Sequence, residues 1–378
     1  YTSGNPFFFN KDISYVLREY KKILKGKGTL RMGKYVKEFE KKFSNYIGVN
    51  YSISTTSATS ALETIFNSIE LKKDDEVIIP CQSYIASLST ILRFNANPIV
   101  AEIDNEFNLD FLDMKKKITK KTKAVVIVHF GGKISKNLLL IKKYLKKKKI
   151  ILIEDAAHAL GSKLFNTKAG NLADISAFSF YSTKIITTGE GGMITTNNKK
   201  LAKKCEQFRS RGIKLSSDYE IYDSLGTNHR ITEFQGLLGL VQLKSLDKFI
   251  SHRNSIAKIY NNLLSRFNDQ GILILPKIES ANINSFWRYI IILRKGINRK
   301  KILFKLRNLS IDAISSYDPL IHKQSIIKKY KKLKKQKLIF SEEYSRRHVM
   351  LPIHYKIKKN DAKFIANSLI KILSNEIK

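Results

Sequence analysis

The run from Ile175 to Gly192, ISAFSFYSTKIITTGEGG, decides how the rest of the chain is read. Ile175 to Phe180 alternates and reads as a buried strand. It delivers Lys184 into a polar turn, and Gly189, Gly191 and Gly192 follow at once, with Glu190 among them. A lysine just past a core strand is desolvated, which lowers its pKa and makes its amine nucleophilic enough for a Schiff base. The glycines let backbone approach a bulky group. A surface lysine in a glycine-rich hairpin is the competing reading, and the neighbouring stretches arbitrate.

Upstream, Lys149 to Glu154 is a second buried strand running into Asp155, Ala156, Ala157, His158 and Gly161. Small residues there leave room for a flat ring. A carboxylate can hold a ring nitrogen protonated, and a histidine can hydrogen-bond a phenolic oxygen. Asp155 as a turn cap and His158 as a core histidine are the structural alternatives. Further strands are expected at Ser52–Thr55, Glu76–Ile79, Pro98–Glu102 and Ala124–Val128, with helices after Pro80 and near Asn137–Leu145. Such alternation predicts an α/β fold, a mostly parallel sheet covered by helices on both faces. Ligands of such folds collect at the carboxyl ends of the strands, which brings Tyr84, His129, Asp155, His158 and Lys184 toward one crevice. Thr55 to Leu62 leads small hydroxyl residues into a helix, with Ser60 and Glu63 spaced as a capping box. A helix start of that kind is a ready phosphate cradle, the alternative being hydroxyls that only cap the helix.

The chain has 378 residues, enough for one large domain and a smaller one, and is 43% hydrophobic with 6 prolines. No apolar run reaches the roughly 18 residues of a membrane helix, and the first ten residues lack a signal pattern. With 2 cysteines and 7 scattered histidines, neither a disulfide framework nor a metal site is expected, and a reducing cytoplasm fits. The 69 Lys and Arg against 32 Asp and Glu give a net charge of +37. That excess would suit a nucleic-acid surface. The lysines are spread along the chain, in helices expected at Ile141–Lys149 and Lys328–Lys337, and no nucleic-acid motif frames them. The reading is lysine bias on solvated faces, with a non-catalytic polyanion binder as the alternative.

Helices are also read at Ile13–Leu24 and Tyr35–Tyr46. Beyond Gln242 one helix is expected to continue to about Leu264. A smaller α+β part follows, with a strand at Phe286–Leu293 and helices near Lys300–Leu306, Glu342–His348 and Asn360–Leu373. The division is 1–250 and 251–378.

Together these stretches resemble the DegT/DnrJ/EryC1/StrS family of pyridoxal-phosphate-dependent sugar aminotransferases, a branch of the type I aminotransferase fold. The likeness rests on Ser57-Ala58-Thr59, Pro80 to Ala86, Glu154 to His158, Phe178 through Lys184 to Gly192, and Asn228-His229-Arg230 with Glu233-Phe234-Gln235. The order and spacing are specific, though no single piece is.

The resemblance implies that Lys184 forms the Schiff base with pyridoxal 5'-phosphate and then moves the proton. It implies that Asp155 pairs with the ring nitrogen, His158 bonds the phenolic oxygen and Tyr84 stacks on the ring. Thr59, Ser60 and Ser179 would hold the phosphate. Asn228 would reach the neighbouring subunit's phosphate, so a homodimer with shared sites is expected. Arg31 and Arg230 are candidates for the amino donor's carboxylate or a diphosphate, and His322 for a sugar contact, because Tyr317-Asp318-Pro319-Leu320-Ile321-His322 resembles a family stretch beside the substrate. The implied reaction moves an amino group from glutamate or glutamine to a keto-sugar, nucleotide-linked, for a surface glycan or secondary metabolite. A keto-cyclitol or another ketone is the alternative acceptor. Dehydratase relatives carry histidine where Lys184 stands, which favours amino transfer. Departures from the family pattern fall at Ala58, Tyr181, Arg211 and His229, and they bear on the substrate.

Overall fold

Seven short, largely apolar runs between residues 51 and 196 become the strands of one sheet. The computed structural model describes residues 1–214, 220–330 and 336–376. In chain order the strands are β1 (Tyr51–Thr55), β2 (Glu76–Pro80), β3 (Asn97–Ala101), β4 (Thr122–Val128) and β5 (Ile151–Asp155). A small hairpin, β6 (Lys163–Leu164) and β7 (Thr167–Lys168), precedes β8 (Ile175–Ser179) and β9 (Gly192–Thr196). The sheet has seven strands in the order β1-β9-β8-β5-β4-β2-β3, and only β9 runs against the others.

Alternation along each strand feeds two cores. Val77, Ile79, Val126 and Val128 face one layer, packed by Leu62, Ile65 and Phe66 of the helix Ala58–Ser68 and by Leu88 and Ile91 of the helix Ala86–Arg93. Ile78, Val125 and Ile127 face the other, against Phe39 and Phe43 of the helix Lys34–Ile47 and Leu138, Ile141 and Leu145 of the helix Leu138–Lys148. Burying each such side chain contributes about 1.5–3 kcal/mol. Covering both faces leaves the carboxyl ends of the parallel strands as the place for a crevice. The register sets Val128 beside Asp155 and Asp155 beside Ala177, so β4, β5 and β8 end together.

A second sheet, β10 (Leu273–Ile274), β12 (Tyr289–Leu293) and β13 (His348–Leu351), has its own core with the helix Lys359–Glu376. Strand β11 (Asn282–Ile283) pairs with β6 instead. The expected break at 250/251 falls inside the helix Leu246–Asp269. Along it burial passes from Leu246, Phe249 and Ile250 in the large-sheet core to Ile256, Ala257 and Tyr260 in the small-sheet core. The N-terminal segment lies on the far part of the chain: the Ser3 amide donates to Asp312 at 3.0 Å, and Tyr1 packs on Phe364.

Several expected elements differ. The continuous helix past Gln242 is two helices, Glu233–Lys244 and Leu246–Asp269, because Ser245 ends one and starts the next. The strand expected from Phe286 begins at Tyr289, since Phe286 has φ 47° and turns the chain before it joins the sheet. The helix expected at Glu342–His348 covers Ile339–Ser345, and His348 opens β13 opposite Ile292. Of the helix expected at Lys328–Lys337, residues 331–335 lie outside the described residues, and Ser325–Lys329 is a 3₁₀ turn. No described helix is long and apolar enough to cross a membrane.

Candidate active site

Strand period separates two adjacent acids at the end of β5. Glu154 points into the core, where its carboxylate meets His129 Nε2 at 2.8 Å. It also accepts from the amides of Gly170, Leu172 and Ala173 and from the Ser176 hydroxyl. His129 is fully buried in that pair and does not reach the crevice expected of it. Asp155 opens onto a cavity of about 690 Å³. Its carboxylate accepts from the Ala157 amide at 3.1 Å and the Ser87 hydroxyl at 3.3 Å. Burial pushes its pKa up, against the Ala157 amide and the charge of Lys184.

Lys184 lines the same cavity. The chain leaves β8 and folds back, with the Thr188 amide donating to the Phe180 carbonyl at 3.0 Å and the Lys184 amide to Tyr181 at 2.9 Å. Burial brings the Lys184 amine down to about 7, with Asp155 pulling upward and Arg288 adding to the depression. Its Nζ lies 4.5 Å from the centre of the Trp287 ring.

His158 stacks on Trp287 and shares a hydrogen bond of 3.1 Å between Nε2 and the Tyr317 hydroxyl. Its Nδ1 is buried without a partner among the described residues. Burial, then the charges of Lys184 and Arg288, hold its pKa well below the usual imidazole value, so the ring is neutral. Tyr84 stands at the mouth, 56% exposed, tilted toward Tyr317.

The hydroxyl-rich helix start faces the cavity through Thr56, Ser57, Ala58 and Thr59. The capping box differs from the expected Ser60–Glu63 pair. Ser57 is the N-cap, its hydroxyl accepting from the Ser60 amide at 3.1 Å while the Ser60 hydroxyl accepts from the Ser57 amide at 2.8 Å. Ser60 is thus turned inward and does not line the cavity, and Ser57 takes its place beside Thr59. Ser179, at the end of β8, completes this wall. Gly192 packs against it: an added Cβ would lie 2.3 Å from the Ser57 carbonyl oxygen.

Other expected residues lie elsewhere. Asn228 is exposed and accepts from Arg230 Nε at 2.9 Å, and neither lines this chain's cavity. Arg31 is exposed and bridges to Thr232. Burial first, then the charges of Arg31, Arg211 and the buried Arg209, lowers the pKa of Arg230. His322 is buried, 3.0 Å from Glu342 of the helix Ile339–Ser345, and does not line the cavity. The sequence reading missed Trp287 and Arg288 as cavity walls, and from the stretch Tyr317 to His322 it singled out His322 where Tyr317 is the residue that lines the cavity. The single charge in the apolar run SFWRYIIIL was the signal available for Arg288.

These residues fit a flat, phosphorylated, nitrogen-containing ring. A buried carboxylate and a depressed lysine share one cavity, an orphaned imidazole nitrogen lies beside them, and a helix start with free amides closes one wall. Fold and site together define the class of pyridoxal-phosphate aminotransferases.

The chain belongs to the DegT/DnrJ/EryC1/StrS aminotransferase family, which matches residues 12–370. It is 32% identical over 345 residues to a GDP-perosamine synthase of Caulobacter vibrioides, covering 90% of this chain and 91% of that protein. It is 32% identical over 346 residues to a UDP-4-amino-4,6-dideoxy-N-acetyl-beta-L-altrosamine transaminase of Helicobacter pylori, covering 90% and 91%. Among solved structures, Helicobacter pylori PseC, an aminotransferase of pseudoaminic acid biosynthesis, superposes with a TM-score of 0.91 at 30% identity, covering 99% of each chain. NtdA of Bacillus subtilis, solved with bound PMP, superposes with a TM-score of 0.88 at 26% identity, covering 99% of this chain and 86% of that one.

Proposed function

We propose that this protein uses pyridoxal 5'-phosphate to move an amino group from glutamate or glutamine to a nucleotide-linked keto-sugar. The observation that carries the reading is the shared cavity of Lys184 and Asp155, with a helix start along one wall. The relatives named as perosamine synthase and altrosamine transaminase support the substrate class.

The cofactor, when bound, supplies an electron sink beside the substrate's C–N bond. Lys184 is the residue that holds it and, once displaced, the group that takes a proton from the substrate carbon and returns one. In the cofactor-free protein its pKa of about 7 leaves the amine nucleophilic near neutral pH. Asp155 keeps a negative charge against the ring nitrogen, and pairing with that cation reverses the rise that burial imposes on its pKa. Neutral His158 bonds the phenolic oxygen, and Tyr84 covers the ring. Ser57, Thr59 and Ser179 hold the phosphate with the free amides of the helix start. Asn228, exposed and outside its own cavity, completes the partner's site in a homodimer, with Arg230 and Arg31 on the same surface.

The test is the visible band of the protein loaded with pyridoxal phosphate. L-glutamate should bleach it with release of 2-oxoglutarate, and a nucleotide-linked 4-keto-sugar should restore it as an amino-sugar forms. A protein that pyridoxal phosphate cannot colour contradicts the reading.

A further inference from the structure

Arg288 is a buried cation for which no carboxylate is in place. Only 5% of it is exposed, and no acid comes within 4.0 Å of its guanidinium among the described residues. Nη1 donates to the Ser3 carbonyl, and Nε has no partner among the described residues. The nearby carboxylate of Asp312 instead accepts from the Ser3 amide at 3.0 Å. Burying a guanidinium with its donors unmet is costly unless an anion arrives to meet them. Its placement fits such an anion, because Arg288 lines the same cavity as Lys184 and Asp155. The indole of Trp287 lies against it, its ring centre 4.4 Å from the guanidinium carbon, and Gly4 backs it, where an added Cβ would sit 3.1 Å from Nη1.

Resting on the aminotransferase reading, we infer that Arg288 binds a carboxylate of the amino donor, through the planar fork that a guanidinium offers to two oxygens. The other anions of the reaction have places of their own: the cofactor phosphate takes the helix start at Ser57 and Thr59, and Asp155 is matched by the ring nitrogen. Arg31 and Arg230 lie outside this cavity. A donor must bring its nitrogen to Lys184, and Arg288 acts on the Lys184 amine through space. A carboxylate held there places the amino acid beside the lysine and neutralises the charge that depresses it.

The chain's only tryptophan reports on the site. Holoenzyme is titrated with glutarate, a dicarboxylate without an amine to react, and separately with inorganic phosphate, while Trp287 fluorescence is read. Wild type should show a saturable response to glutarate that L-glutamate competes away, and none to phosphate. Arg288→Gln should weaken glutarate binding by about 30-fold or more. Arg288→Lys, which keeps the charge and loses the fork, should weaken it by about tenfold and decides the matter if the glutamine variant does not fold. Equal glutarate affinity in wild type and variant, no wild-type response, or an Arg288-dependent response to phosphate in place of glutarate overturns the assignment. Failure of the aminotransferase reading looks different: wild type then shows no spectral response to L-glutamate at all.

Discussion

The imidazole of His158 lies almost flat on the indole of Trp287, ring centres 3.6 Å apart and planes 13° from parallel. Trp287 also donates its ring N–H to the Thr183 carbonyl at 3.1 Å, next to Lys184 in the chain. One indole ring thus contacts the histidine, the lysine loop and the arginine at once. Trp287→Leu should weaken retention of pyridoxal phosphate by about tenfold, as aromatic stacking contributes about 0.5–1.5 kcal/mol. Equilibrium dialysis measures it, and unchanged retention would assign Trp287 to the core alone.

The Lys184 amine carries a pH signature. With its pKa brought down to about 7 in the cofactor-free protein, far below that of an ordinary lysine, about half of it is free base at pH 7. Its rate of covalent capture by an amine reagent should rise through pH 7. Asp155 raises this pKa and Arg288 lowers it. Asp155→Asn should therefore move the midpoint down and Arg288→Gln should move it up. Shifts in the same direction for both variants contradict the electrostatic account.

Glu154 and Asp155, adjacent in sequence, should respond in opposite ways. Glu154→Ala strands His129, three amides and the Ser176 hydroxyl in the core. It should cost about 3–5 kcal/mol and show as a large fall in Tm or loss of soluble protein. Asp155→Asn should fold normally and lose about 10²–10³-fold in transamination rate. Thermal melts and single-turnover kinetics on both variants separate the two roles.

The helix start joins stability to binding. Ser57→Ala removes the capping hydroxyl and should cost about 1 kcal/mol, with a small drop in Tm. It should also weaken binding of the cofactor's phosphate, seen as a raised Kd for pyridoxal phosphate. Ser60→Ala should affect stability more than binding, since its hydroxyl is spent within the cap.

The sheet was legible because its strands are apolar runs; that Asp155 and Lys184 line one cavity followed from counting past the ends of β5 and β8. What escaped the sequence was direction. Ser57 and Ser60 sit on the same helix start, and only the folded cap tells which hydroxyl faces outward. His322 lies in a stretch that matched the family, yet its partner Glu342 is 20 residues further on, and local spacing does not reveal such a pair. Trp287 and Arg288 read as the start of a core strand, and the turn at Phe286 makes them cavity wall instead.

The most direct test is a chemical map of the bound cofactor. Protein loaded with pyridoxal phosphate is reduced with borohydride, digested, and searched by mass for the pyridoxyl adduct across a chain of 69 lysines and arginines. The account predicts one dominant adduct, on the peptide carrying Lys184. An adduct spread over surface lysines, or fixed on another residue, would contradict it.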